Sequence, residues 1–175
     1  NALDHLAQHD PLTGLPNRRM FFERLQQAIS SAKRTQQPLA LLFIDLDYFK
    51  EINDRHGHAR GDEVLKAVAR LLRSATREVD TVARLGGDEF VILFNVLEES
   101  QDIQRIVCKL HERFQTSLRI DGQELNIRAS IGVSCYPQDG DSAERLIQHA
   151  DRAMYAAKRD GRNTFAFHAD SAQGE

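Results

Sequence analysis

The chain has 175 residues, enough for one sizeable domain and too short for two ordinary ones. Its 41% hydrophobic and 28% charged residues are too apolar for a disordered chain, and the longest apolar run, over 39–44, is far short of a membrane span. Lys and Arg number 23 against 26 Asp and Glu, a formal net charge of -3 that argues against broad electrostatic binding of nucleic acid.

In chain order, residues 1–10 are polar and helix-compatible, and read as the end of an upstream linker helix. Asp10-Pro11-Leu12-Thr13-Gly14-Leu15-Pro16-Asn17 is a turn-rich connector. Phe21, Leu25, Ala28, Ile29 and Ala32 recur at spacings of three and four and predict a helix over 18–34. The continuous apolar run over 39–44 predicts a central strand covered on both faces. Val64, Leu65, Val68, Leu71, Leu72 and Ala75 predict a second helix over 61–76. A short strand over 81–85, a Gly86-Gly87 turn and a strand over 90–94 form a hairpin. A third helix carries Ile103, Ile106, Val107, Leu110, Phe114 and Leu118. Segments 119–125 and 126–134 read as strands around an Asp121-Gly122 turn. Asp141 and Glu144 form a capping-box signal for the last helix, with Leu146, Ile147, Ala150, Met154 and Ala157 inward. Residues 163–167 add an edge strand. The fold class is α+β: a central mixed or antiparallel sheet of about five strands with helices packed on it. The domain is expected over 11–168, followed by a polar tail over 169–175. Cys108 and Cys135 stand in no metal-ligand spacing and read as buried small residues in a reducing compartment. Without a signal peptide or an initial Met, the chain reads as a cytoplasmic domain cut from a longer protein.

Two segments carry chemistry. Asp45-Leu46-Asp47 ends the apolar strand. Two carboxylates after six apolar residues are costly if buried and unpaired, and a hard divalent cation would offset both charges. The bland reading is a strand that has reached solvent. Gly86-Gly87-Asp88-Glu89-Phe90 places two acids at a tight hairpin whose glycines permit close approach of a ligand. Acidic groups from two strand ends suit metal-assisted phosphoryl or nucleotidyl transfer.

Arg84-Leu85-Gly86-Gly87-Asp88-Glu89-Phe90 resembles the signature of the GGDEF-domain diguanylate cyclases. The resemblance extends to the connector at 10–18, to Asp45-Leu46-Asp47-Tyr48-Phe49-Lys50-Glu51-Ile52-Asn53-Asp54, and to Gly57-His58 and Gly61-Asp62. It continues through Ala153-Met154-Tyr155-Ala156-Ala157-Lys158 to Gly161-Arg162-Asn163. It implies a fold similar to nucleotide cyclases and the polymerase palm. It also implies condensation of two GTP into cyclic di-GMP with release of two pyrophosphates. By that likeness Asp45, Asp88 and the Leu46 carbonyl hold about two Mg²⁺ or Mn²⁺ ions. Asp88 and Glu89 are the catalytic acids, and Lys50 neutralises triphosphate charge. Lys158 and Arg162 hold the terminal phosphates, where the bland reading is a positive helix C-terminus. Asn53 and Asp62 read guanine, with helix capping as the bland alternative, and His58 contacts the nucleotide. Asp47 is expected to be structural. Arg77-Glu78-Val79-Asp80 matches the RxxD of an inhibitory product site, assisted by Arg84. The partners implied are GTP, cyclic di-GMP and a transient homodimer, with no nucleic acid and no direct membrane contact. The localisation implied is cytoplasmic, as the cytosolic part of a larger bacterial signalling protein. The alternative is a catalytically weak regulatory domain that binds GTP or cyclic di-GMP.

Overall fold

The structure is a computed structural model and describes residues 2–169. Its elements are α1 (Ala2–Gln8), α2 (Arg18–Thr35), β1 (Leu39–Leu46), α3 (Phe49–His56), α4 (His58–Ser74), β2 (Thr81–Gly86) and β3 (Glu89–Phe94). They continue with α5 (Asp102–Phe114), β4 (Leu118–Ile120), β5 (Gln123–Leu125), β6 (Ala129–Tyr136), α6 (Ala143–Arg159) and β7 (Phe165–Phe167). Five strands form one sheet in the order β2-β3-β1-β6-β7. Its pairings are antiparallel except for β6 with β7, which run parallel. This is the α+β architecture with a mixed five-stranded sheet that the periodicities predict.

β1 is the centre of the sheet, and every residue in it is buried. Side chains alternate along a strand, so its two faces feed two cores. Ala40, Leu42, Ile44 and Leu46 pack against α4 and α5. Leu39, Leu41 and Phe43 pack against α2 and α6. Burying each such Leu or Phe stabilises by about 1.5–3 kcal/mol. The face that ends in Asp45 is therefore the α2/α6 face. Register sets Asp45 opposite Glu89 of β3 on one side and Ser130 of β6 on the other.

α2 matches its predicted stripe: Phe21, Leu25, Ala28, Ile29 and Ala32 are its buried residues. Its start is set by Asn17, whose side chain accepts from the Met20 N–H. Elsewhere the boundaries move. The helix expected from Gly61 begins at His58, and α3 precedes it where no helix was read. Eight residues with Phe49 and Ile52 as their apolar pair are too short for a periodic signal. α5 stops at Phe114, and Leu118 belongs to β4 instead. Segment 119–125 is not one strand: β4 and β5 fold into their own hairpin around Asp121-Gly122. The last helix is capped by Ser142, which accepts from the Arg145 N–H, not by Asp141. Cys108 is exposed rather than buried, and Cys135 is intermediate; both are free. The tail expected over 169–175 lies outside the described residues from 170 onward. Among the described residues no helix is long and apolar enough to cross a membrane.

Candidate active site

The β2–β3 hairpin folds back at Gly86 and Gly87, whose φ angles of 143° and 50° favour glycine. Arg84 braces the turn: its Nε and Nη2 donate to the Gly87 carbonyl at 3.0 and 2.8 Å, and its Nη1 pairs with Asp10 at 2.8 Å. The hairpin is thereby tied to the connector before α2. The Leu46 N–H donates to the Asp88 carbonyl at 3.3 Å, so the end of β1 and the hairpin touch through backbone.

Asp45 and Asp88 meet at this junction. Asp45 is buried; one carboxylate oxygen accepts from Lys158 of α6, and Oδ1 is buried without a hydrogen-bond partner. The Asp88 carboxyl is pushed up to about 6, first by burial and then by the Asp45 charge; a backbone hydrogen bond and Lys158 oppose the shift. Glu89 is also raised, by burial and by the charges of Asp45 and Asp151, against the pull of Arg18 and Lys158. An orphaned carboxylate oxygen and a crowded neighbouring acid fit a hard divalent cation. Among the described residues no group of three or more His, Cys, Asp and Glu is placed to hold a metal. Two carboxylates suit Mg²⁺, which takes its other ligands from water and phosphate oxygens.

The raised Asp88 value has a pH consequence. A carboxyl with a raised folded value is most favourable while protonated. The metal-free domain therefore loses stability as pH rises from the ordinary 3.8 to about 6. A cation must displace that proton, so Mg²⁺ affinity is expected to be about tenfold weaker near pH 5 than near pH 7. Calorimetric titration with Mg²⁺ at the two values checks this; equal affinity removes Asp88 from the ligand set.

Asp47 is settled differently from Asp45. It is buried, its Oδ1 accepts from the Ser130 hydroxyl at 2.6 Å, and its Oδ2 from the Asn163 N–H at 2.8 Å. Both oxygens are satisfied inside the fold, and the contact fastens the loop after α6 to the end of β1.

The remaining predicted residues lie on α3, α4, α6 and the loop after α6. Lys50 is exposed on α3, and Lys158 reaches Asp45 from α6. Arg162 lies in the loop after α6, with its guanidinium 5.1 Å from the centroid of the Tyr48 ring. Asn53 on α3 and Asp62 on α4 come from packed neighbouring helices separated by Gly57, with His58 at the start of α4. A Cβ on Gly61 would strike the Asn53 carboxamide, so the glycine makes the space in which Asn53 sits.

Arg77 and Asp80 form a pair in the loop between α4 and β2. All four acceptor positions of the Asp80 carboxylate are spent inside the fold: on the Arg77 N–H, Nε and Nη2, and on the Asn95 N–H. Asp80 therefore orients Arg77 and has no acceptor left for a guanine edge. Arg77 keeps about half of its side chain exposed. It lines a cleft of about 390 Å³ with Arg24, Arg73 and Glu78. Arg84, expected to assist there, is turned instead to Asp10 and the hairpin carbonyl.

Sequence reading missed Asp151 and Arg18. Asp151 stands two helical turns before Lys158 on α6, and its charge acts on Glu89; Arg18 opens α2 and acts on both acids. The seven-residue spacing to Lys158 was the available signal.

The family model described as "Diguanylate cyclase, GGDEF domain" matches residues 7–164. The diguanylate cyclase TpbB of Pseudomonas aeruginosa is 46% identical over 164 residues, which are 93% of this chain and 38% of that protein. This chain thus spans well under half the length of that curated relative. The solved GGDEF domain of the same protein superposes with a TM-score of 0.88 at 45% identity, covering 91% of this chain and 94% of that one. The coiled-coil and GGDEF domain of DgcB from Caulobacter crescentus, solved in complex with c-di-GMP, gives 0.82 at 28% identity over 95% of this chain and 88% of that one. With that family model matched over most of its length, the chain belongs to the GGDEF-domain, diguanylate cyclase family.

Proposed function

We propose that this domain condenses two GTP molecules into cyclic di-GMP and two pyrophosphates. The observation that supports it most is the pairing of Asp88, pushed up to about 6, with Asp45, whose buried Oδ1 lacks a partner. Asp45, Asp88 and the Leu46 carbonyl would hold about two Mg²⁺ or Mn²⁺ ions. Such ions polarise the α-phosphate and lower the pKa of the attacking 3′-hydroxyl. Lys158, which pairs with Asp45 across the junction, would hold the terminal phosphates together with Arg162, while Lys50 would approach from α3. Asp88 and Glu89 are the acids that accept the proton and sustain turnover. Asn53 and Asp62 hydrogen-bond guanine, and His58 touches the nucleotide. One domain holds one GTP, so two copies meet with their hairpins facing across an isologous, transient interface.

Incubation with GTP and Mg²⁺, with the product identified by mass, tests this reading. Cyclic di-GMP should form at a rate rising faster than linearly with protein concentration. Nucleotide binding without product, at any concentration with Mg²⁺ or Mn²⁺, would favour the regulatory alternative.

Two variants sharpen it. Gly61→Ala should lower GTP affinity by about tenfold or more, the cost of a guanine contact made badly. Thermal unfolding should change little, because the obstructed atoms end a flexible side chain and Ala favours a helix. GTP affinity equal to the parent's would remove Asn53 from the base site. Arg77→Ala should keep the chemistry and lose product feedback, since its half-exposed guanidinium, held by Asp80 and the Asn95 carbonyl, lines that cleft. Progress curves with added cyclic di-GMP decide: equal inhibition of parent and variant leaves RxxD only as a helix end.

A further inference from the structure

Tyr48 is not explained by anything above. It is an aromatic residue with φ 58° and ψ 31°, the left-handed region that costs a bulky side chain energy. It is 61% exposed, and as the N-cap of α3 it makes no side-chain capping bond. Neither core packing nor helix capping accounts for the ring.

What the ring does touch is Arg162. The guanidinium lies 5.1 Å from its centroid, within range of a cation–π contact. Among the described residues the guanidinium has no carboxylate or carbonyl partner, so its donors are unspent. The backbone beneath it is held firmly. Arg162 and Asn163 are both left-handed, at φ 66° and 49°. The Arg162 N–H donates to the Ala157 carbonyl at 3.1 Å, and the Asn163 N–H to Asp47 at 2.8 Å. Two consecutive residues at the end of β1 thus grip two consecutive residues of the loop: Asp47 takes the backbone of Asn163, and Tyr48 takes the side chain of Arg162. A flexible cation is fixed beside the uncapped N-terminus of α3, near enough to Lys158 for its charge to oppose protonation there.

We propose that Tyr48 is a positioning residue whose ring holds the Arg162 guanidinium beside the start of α3, oriented for the terminal phosphates of a bound nucleotide. The inference rests on the nucleotide reading proposed above. The ring gives Arg162 a preset direction, so less side-chain freedom is lost when phosphate arrives. The left-handed backbone at position 48 is the local strain that keeps the ring facing the loop.

The test is calorimetric titration of Mg²⁺-GTP, and separately of magnesium pyrophosphate, into the parent, Y48F, Y48L, Y48N, R162A and the double variant Y48L/R162A. Y48L and Y48N should each weaken both ligands by about 2- to 5-fold, and Y48F should restore the affinity. R162A should weaken them further, and Y48L should add nothing in its background. In turnover the loss should appear in KM, with kcat kept. Asn suits the left-handed region, so Y48N separates loss of the ring from backbone strain and carries the test if Y48L folds poorly. Parent-like binding by Y48N, or the same Y48L effect with and without Arg162, overturns the proposal. A parent that binds neither ligand overturns the nucleotide reading itself, and is recognised by flat titrations throughout.

Discussion

Asp88→Asn is expected to abolish metal-dependent formation of cyclic di-GMP, by at least about a hundredfold, while leaving the fold intact. The two halves of that expectation have one cause. Asp88 is crowded against Asp45 at the junction of β1 and the hairpin, and its carboxyl is pushed up to about 6 by burial and by the Asp45 charge. An ionised Asp88 is therefore a burden on the metal-free domain, and a neutral carboxamide of the same shape relieves it. The same substitution removes one of two carboxylates from a site where, among the described residues, no third is placed to replace it. Unfolding curves of the metal-free variant should match or exceed the parent's above about pH 6. Added Mg²⁺ should stabilise the parent and not the variant. Product formed at the parental rate by the folded variant would sink the metal assignment.

Gly132→Ala is expected to destabilise the domain by about 3 kcal/mol or more. Gly132 lies in β6 beneath α6, and a Cβ there would collide with the Ala150 carbonyl oxygen and the Met154 nitrogen, and would stand 2.8 Å from the Met154 Cα. All three are backbone atoms of one helix, so no rotamer change clears the space. The helix would have to lift off the sheet, opening the core that buries Leu146, Ala150 and Met154. Lys158 rides on the same helix, so its contact with Asp45 would be lost as well. The melting temperature should fall by roughly 6–12 °C. A value within about 2 °C of the parent would mean that α6 is not seated so closely on β6. Gly132→Ala should thus impair activity through the fold, and Asp88→Asn without it, a contrast that unfolding and assay together make visible.

Local pattern already determined much of this protein. The apolar run at 39–44 pointed to a covered strand by its length and continuity, and the stripe from Phe21 to Ala32 to a core-facing helix by its 3.6-residue period. Asp45, Asp88 and the hairpin glycines were legible for the same reason: charge after an apolar run, and glycine pairs at a turn, are local signals. Helix starts at Phe49 and Ala143 were less legible. There the ends were set by a left-handed Tyr48 and by Ser142, one residue away from an equally plausible Asp141.

Tertiary structure decided which polar groups are already spent. Asp45 and Asp47 look alike in sequence, yet Ser130 and Asn163 satisfy Asp47 from 83 and 116 residues away, while Asp45 keeps a bare oxygen. Arg84 and Arg77 look equally available, yet Asp10 and Gly87 bury one against the hairpin, while Asp80 and the Asn95 carbonyl hold the other with about half of its side chain exposed. Asp151 and Arg18 join the site only because α2 and α6 lie on the sheet face that carries Asp45 and Glu89. Sequence states which groups a chain carries. Whether each is already paired depends on partners that only the fold brings within hydrogen-bonding distance, and a buried polar atom left without one, as at Asp45, marks a candidate site.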